Sequence, residues 1–307
     1  MIIDLHPEFG LELALGITYA YWLHERNELG GVRTVKGMKP FYYFCDNVEE
    51  VYNHRTIDNS AAGLDELPNN WIHHCPRIKS SNGILDYSKW SVPPYKEIYK
   101  TDRFKFDKPM IFVSNRYNVE HGKPPAGYFD IPFLYDVFNY LSENGYGIIY
   151  KRPKNNEFPL DQNEANGLQM GYKDITADVD GIGIMTDYKL TEYYDNVILM
   201  DDIIQSHNTN TYNEIQLQIL SNMSGFITMG GGGSILCSMF GAPNISYFNA
   251  SAECTRDDYF NTDNYYRKMS DHNFYPILDW IEDVKKRGYR NYTEIMKKIK
   301  EVFNEIN

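Results

Sequence analysis

Four consecutive glycines, Gly230 to Gly233, stand between the apolar run "GFITM" and a segment that begins at Ser234 and leads to "GAPNISYF". Unsubstituted backbone is costly to order, so a run of it marks a place where something must come close to the main chain. An apolar strand feeding a glycine loop that opens a helix suits a diphosphate. The bare backbone lets phosphate oxygens reach the amides, and the helix start carries partial positive charge. Ser234 is placed to cap that helix or to donate to a phosphate. The plain alternative is a flexible turn with no ligand. No G-K-[ST] follows, so the loop is not a Walker A element, and its spacing and late position do not fit the dinucleotide G-x-G-x-x-G.

Other strand ends carry groups that could share such a site. "PMIFVSNRYN" closes on Ser114, Asn115 and Arg116, and "YGIIYKRP" closes on Lys151 and Arg152. Cations at two strand ends of an acidic chain suit the compensation of a diphosphate. "NVILMDD" ends in Asp201 and Asp202, which could receive sugar or ribose hydroxyls, bind a divalent cation, or form a strand-end turn. "DVD" at 178–180 has the D-x-D form of metal-dependent sugar transferases but no convincing strand before it, and reads as a solvated loop. Near the start, "HPEFG" puts His6 and Glu8 just past the first apolar run, with Glu12 in the turn that follows. These three and Asp46, beyond "KPFYYFC", are candidate general bases; a helix-start acid and a structural turn are the bland readings of Glu12 and His6.

The elements that must position these residues alternate. "MIIDL" is predicted as a strand, 11–26 as a helix stopped near Gly30 and Gly31, and "KPFYYFC" as a second strand. Residues 53–105 are weakly patterned and contain a proline pair, as a connection would. A second series follows: strand 109–115, helix 131–145, strands 146–153 and 196–202, helix 212–223, strand 225–229, the glycines, a helix from Ser234 and strand 243–248. The tail, 291–306, has an apolar stripe opposite lysines and is predicted to dock on the body of the protein. Strands alternating with helices imply a parallel sheet covered on both faces. The fold class expected is α/β with two Rossmann-like domains, 1–104 and 105–307, whose parallel sheets face a central cleft.

At 307 residues and 42% apolar content the chain can build two cores. A formal net charge of −12 argues against nucleic acid or an anionic membrane as the main partner. No apolar run is long enough to span a bilayer and no signal peptide is evident. Cys45, Cys75, Cys237 and Cys254 are widely spaced and read as reduced thiols. The expected setting is cytoplasmic, without an integral membrane segment.

The stretch "ILSNMSGFITMGGGGSILCSMFGAPNISYF", with "KPMIFVSNRYN" through "GYGIIYKRP", resembles the donor domain of GT-B glycosyltransferases over about residues 105–250. The resemblance implies that Gly231, Gly232, Gly233 and Ser234 embrace a donor diphosphate. Arg116 matches a phosphate contact, with Asn115, Lys151, Arg152, Asp201 and Asp202 nearby, and His6 or Glu8 falls where an acceptor base sits. It further implies transfer of a sugar from a nucleotide-diphosphate donor to a hydroxyl of a glycan or other acceptor. The lean is toward an inverting reaction with no cofactor and no required metal, and the closing helix could return to the first domain. A nucleotide-sugar epimerase of the same fold and a noncatalytic nucleotide- or glycan-binding protein are the competing readings.

Overall fold

The computed structural model describes residues 1–56, 62–64, 67–68, 86–116, 127–152, 175–207, 211–249, 265–279 and 290–304. Cys75 and Cys254 lie outside these; Cys45 and Cys237 are free thiols. Strand β1 (Ile2–Asp4) leads into helix α1, 9–25, whose middle, Glu12–Ile17, is a π-helix. That helix ends without glycine. Asn27 takes φ 59°, and Glu28 N donates to Leu23 O while Asn27 N donates to His24 O, so asparagine supplies the left-handed cap.

Strands β2 (Gly31–Val35) and β3 (Val48–Tyr52) complete a parallel three-stranded sheet in the order β1-β2-β3. The expected strand "KPFYYFC" is instead a 3₁₀ turn, Lys39–Tyr42, opened by Pro40. Phe41 and Tyr42 are both buried there. Adjacent residues point the same way into the core, which a strand does not allow.

After a short helix α2 (Tyr95–Ile98) the second unit begins. It contains β4 (Met110–Ser114), α3 (Ile131–Glu143), β5 (Gly147–Lys151), the hairpin β6 (Thr176–Val179) and β7 (Gly183–Thr186), and α4 (Asp187–Glu192). Then come β8 (Val197–Leu199), α5 (Met200–Gln205), α6 (Tyr212–Leu220), β9 (Gly225–Met229), α7 (Gly232–Ser238), β10 (Asn244–Phe248), α8 (Tyr265–Met269), β11 (Phe274–Leu278) and α9 (Thr293–Val302). The hairpin corrects the reading of 178–180 as a loop, since Asp178 pairs with Ile184 across it.

The six-stranded sheet is parallel throughout, in the order β11-β10-β9-β4-β5-β8. In chain order that is 3-2-1-4-5-6, the doubly wound arrangement that reverses between β4 and β9. Both faces are covered. Ile111, Val113, Ile148, Ile227 and Tyr247 pack under α3 and α9, whereas Phe112, Ile149 and Phe226 join a core shared with the first unit. Two-sided burial is why these strands read as unbroken apolar runs. The closing helix stays with the second unit: Ile295, Ile299 and Phe303 belong to its core, and Phe303 fills the space a side chain at Gly225 would take. Its expected return to the first unit is therefore corrected. No helix among the described residues is long and apolar enough to cross a membrane.

Candidate functional site

The reversal of strand order leaves a crevice at the carboxyl ends of β4 and β9, where ligands bind in sheets of this kind. Asn115 and Arg116 follow β4, and the glycines follow β9. Asn115 is 1% exposed. Its Oδ1 accepts from Arg116 N at 2.9 Å and Phe129 N at 2.8 Å, and its Nδ2 donates to Phe129 O and to the Tyr150 hydroxyl, each at 3.0 Å. Asn115 is thus a brace that fixes the backbone of Arg116.

The four glycines have different reasons to be glycine. A side chain at Gly230 would enter the ring of Phe248. Gly231 has φ 117° and ψ −164°, a region essentially restricted to glycine, and a Cβ there would stand 2.5 Å from Arg116 Nη1. The guanidinium therefore lies directly over the loop. A Cβ at Gly232 would meet Phe9 Cδ1 at 3.1 Å and Gly10 N at 3.3 Å, so Gly232 is where the first residues of α1 touch the crevice. Gly233 differs from these three: unlike Gly231 it has no positive φ, and unlike all of them its Cβ would meet nothing closer than Ser114 Oγ at an ordinary 3.5 Å.

Ser234 is fully buried and turned inward. Its hydroxyl donates to Ser246 Oγ at 2.8 Å, and Asn244 Nδ2 reaches Ser234 O, Ser234 Oγ and Ser238 Oγ at 3.0, 3.3 and 2.9 Å. This network ties α7 to β10, so the serine sets the helix in place and is not at the mouth of the crevice. Arg152 is likewise internal. Its Nε and Nη2 grip the Asp187 carboxylate from both sides, with Nη2 at 2.8 Å from Oδ1, and Tyr150 donates to the same carboxylate at 2.8 Å. Both side chains are almost wholly buried.

Lys151 is half-buried, bonded to Gln216 Oε1 and 5.5 Å from the centre of the Tyr212 ring. Burial lowers its pKa to about 8, with Cys237 and Asp201 partly offsetting the shift. Between about pH 8 and 10.5 the unfolded chain holds a proton at this position that the folded protein has released, so stability rises with pH across that window. Thermal unfolding followed from pH 7 to 10.5 should show the wild type gaining on Lys151→Met over this interval and nowhere below it. Asp201 and Asp202 open α5; Asp201 is buried and Asp202 exposed, so the two carboxylates do not present together.

On the facing side, segment 6–10, the turn after β1 and the first residues of α1, is held from beneath. Glu12 is fully buried, with Oε2 2.5 Å from Arg55 Nη1 and Oε1 accepting from Thr34 at 2.5 Å and Tyr42 at 2.9 Å. It is a structural tie with its oxygens occupied, which places it away from the role of a base. Arg55 Nη1 also donates to Pro7 O at 2.8 Å, and the guanidinium carbon lies 5.3 Å from the Phe9 ring centre. His6 stacks on Tyr52 with centroids 4.1 Å apart. Glu8 is half-buried immediately before Phe9 and Gly10. Asp46 is exposed and precedes β3, at the amino edge of the small sheet, opposite the crevice, because the strand expected before it is the 3₁₀ turn.

The structure thus brings together Arg116, Gly231, Gly232, Gly233 and the loop bearing His6 and Glu8. It sets apart Arg152, Ser234, Glu12 and Asp46. Arg55 and Gly10, which shape the site, carry no local signal: an isolated arginine and a helix-start glycine acquire their roles only when the end of β3, the start of α1 and α7 meet.

No protein-family model and no curated protein matches the sequence. Among solved structures, E. coli ADP-heptose lipopolysaccharide heptosyltransferase II is similar over 98% of both chains at 11% identity, with a TM-score of 0.51. A glycosyl transferase family 9 protein from Veillonella parvula matches 100% of this chain and 89% of its own at 12% identity, with a TM-score of 0.43. The fold is GT-B. The three-stranded sheet precedes the six-stranded one in the chain, and the glycine loop after β9 meets the first residues of α1.

Proposed function

We propose that the protein is a glycosyltransferase that moves a sugar from a nucleoside diphosphate donor to an acceptor hydroxyl, with inversion and without a required metal. One observation carries this reading: the Arg116 guanidinium lies over Gly231 at the strand-order reversal of a GT-B fold. A leaving diphosphate accumulates negative charge as its bond to the anomeric carbon breaks. Arg116 and the amides of Gly232 and Gly233, which lack intrahelical acceptors, are donors for that charge. Lys151, at the next strand end, adds a cation below about pH 8. Glu8, or His6 beside it, takes the proton of the attacking hydroxyl from the opposite side. Phe9 and Gly10 close on Gly232 and limit the water that could hydrolyse the donor.

Gly233 separates ligand from packing. Gly233→Ala should stabilise the free protein by roughly 0.4–1 kcal/mol, since the site has room and the unfolded chain loses freedom. The same methyl should weaken nucleoside diphosphate binding by an order of magnitude, because it stands where the phosphate approaches. Calorimetric titration together with urea unfolding reads both; a stabilised variant with unchanged affinity would mean that the glycine serves no ligand.

The reading is tested by thermal-shift screening with ADP, GDP, UDP and CDP, with and without EDTA, followed by nucleotide release from the matching nucleotide sugars. One diphosphate should raise the unfolding temperature with EDTA present, and nucleotide release should require an acceptor. Sugar conversion without acceptor and without release would make the protein an epimerase, and binding without turnover over a broad acceptor panel would make it a binding protein.

A further inference from the structure

We infer that Asn249 is a further ligand contact, its side-chain Nδ2 donating to a phosphate oxygen of the bound nucleoside diphosphate; this rests on the transferase reading above. Asn249 directly follows β10, which pairs with β9, so it stands at the carboxyl edge one strand beyond Gly230. It is 3% exposed. Half of its amide is accounted for, because Oδ1 accepts from Gly127 N at 2.9 Å. The other half is not: Nδ2 is buried with no hydrogen-bond partner among the described residues. A buried donor left without an acceptor costs about 1–3 kcal/mol, and such orphans are few in folded proteins.

Strand alternation fixes the side on which this amide lies. Asn244 and Ser246 of β10 turn toward α7 and bond Ser234, whereas Ile245 and Tyr247 enter the core beneath α3. Asn249 shares the parity of Ile245 and Tyr247, and its bond to Gly127 agrees. From there residues 127–129 run across to β4, where Asn115 holds both the N–H and the C=O of Phe129. Two asparagines therefore bracket the end of β9, one on each neighbouring strand. Asn115 spends its amide on the protein and on the backbone of Arg116. Asn249 has the same anchoring bond to the crossing segment and one donor left over, at the strand end next to the one from which the glycines run.

Asn249→Asp separates the two halves of the amide. An aspartate oxygen still accepts from Gly127 N, but the donor becomes an acceptor. With whichever of ADP, GDP, UDP or CDP the wild type binds most tightly, the variant should bind at least fivefold more weakly by calorimetry, measured at a temperature at which it is fully folded, because the buried carboxylate also lowers its stability. A smaller loss overturns the assignment. Should the variant not fold, the wild type labelled with ¹⁵N-asparagine gives the same answer: the Asn249 side-chain amide resonances should move on saturation with that nucleotide, and resonances that stay fixed overturn it. If the wild type binds none of the four, it is the transferase reading that has failed, a result distinguishable from intact binding that ignores Asn249.

Discussion

Replacing Arg55 by methionine should cost the protein about 3–5 kcal/mol of stability, the range for stranding one partner of a buried ion pair. Arg55 and Glu12 are 5% and 0% exposed at their side chains, and the carboxylate lies 2.5 Å from Nη1. Without the guanidinium, Thr34 and Tyr42 still donate to Oε1, but the negative charge has no counter-charge. The same change frees Pro7 O from its donor and removes the cation near Phe9, so segment 6–10 loosens where the start of α1 meets Gly232. Glu12→Gln in the same chain should restore much of the loss, because no buried charge remains. Urea unfolding of the wild type, the single variant and the double variant reads the difference; a loss below about 1 kcal/mol for the single variant would show the pair to be solvated.

The second large effect is on binding. Arg116→Ala should weaken nucleoside diphosphate affinity about tenfold to a hundredfold, the equivalent of one charge-assisted hydrogen bond of about 1.5–3 kcal/mol. Asn115 still fixes the backbone at this position, so the loss is read on protein shown by urea unfolding to be fully folded. Arg116→Lys should recover only part, since an ammonium cannot offer two parallel donors to a phosphate. Calorimetric titration with the nucleotide found by screening reads the loss, and full affinity in the alanine variant would remove Arg116 from the site.

The second unit was largely legible in the chain. Its strands are buried on both faces and appear as short apolar runs, and α3 carries its own punctuation, with Asp130 capping the start and Gly145 at φ 85° closing the end. The first unit was less so. Phe41 and Tyr42 have the density of a strand but sit in a 3₁₀ turn; β2 begins on Gly31, which reads as a helix stop, and β3 alternates half-buried and exposed residues with no apolar run. The hairpin from Thr176 to Thr186 escaped because two glycines and two aspartates in its turn region mimic a loop.

At the site, the glycine loop and Arg116 were readable because both follow strands directly. The fate of the other polar groups was not. Arg152 is taken by Asp187, 35 residues away, Glu12 by Arg55, 43 residues away, and Ser234 by Ser246, 12 residues away. A strand-end position predicts which edge of a sheet a residue occupies. It does not predict whether a buried partner from another element has already claimed it.

The central claim is the place of the diphosphate, and a crystal structure with the nucleoside diphosphate selected by thermal shift tests it most directly. The account predicts phosphate oxygens within hydrogen-bond distance of the Arg116 guanidinium and of the Gly232 or Gly233 amide. A fully occupied nucleotide whose phosphates lie away from both would contradict it.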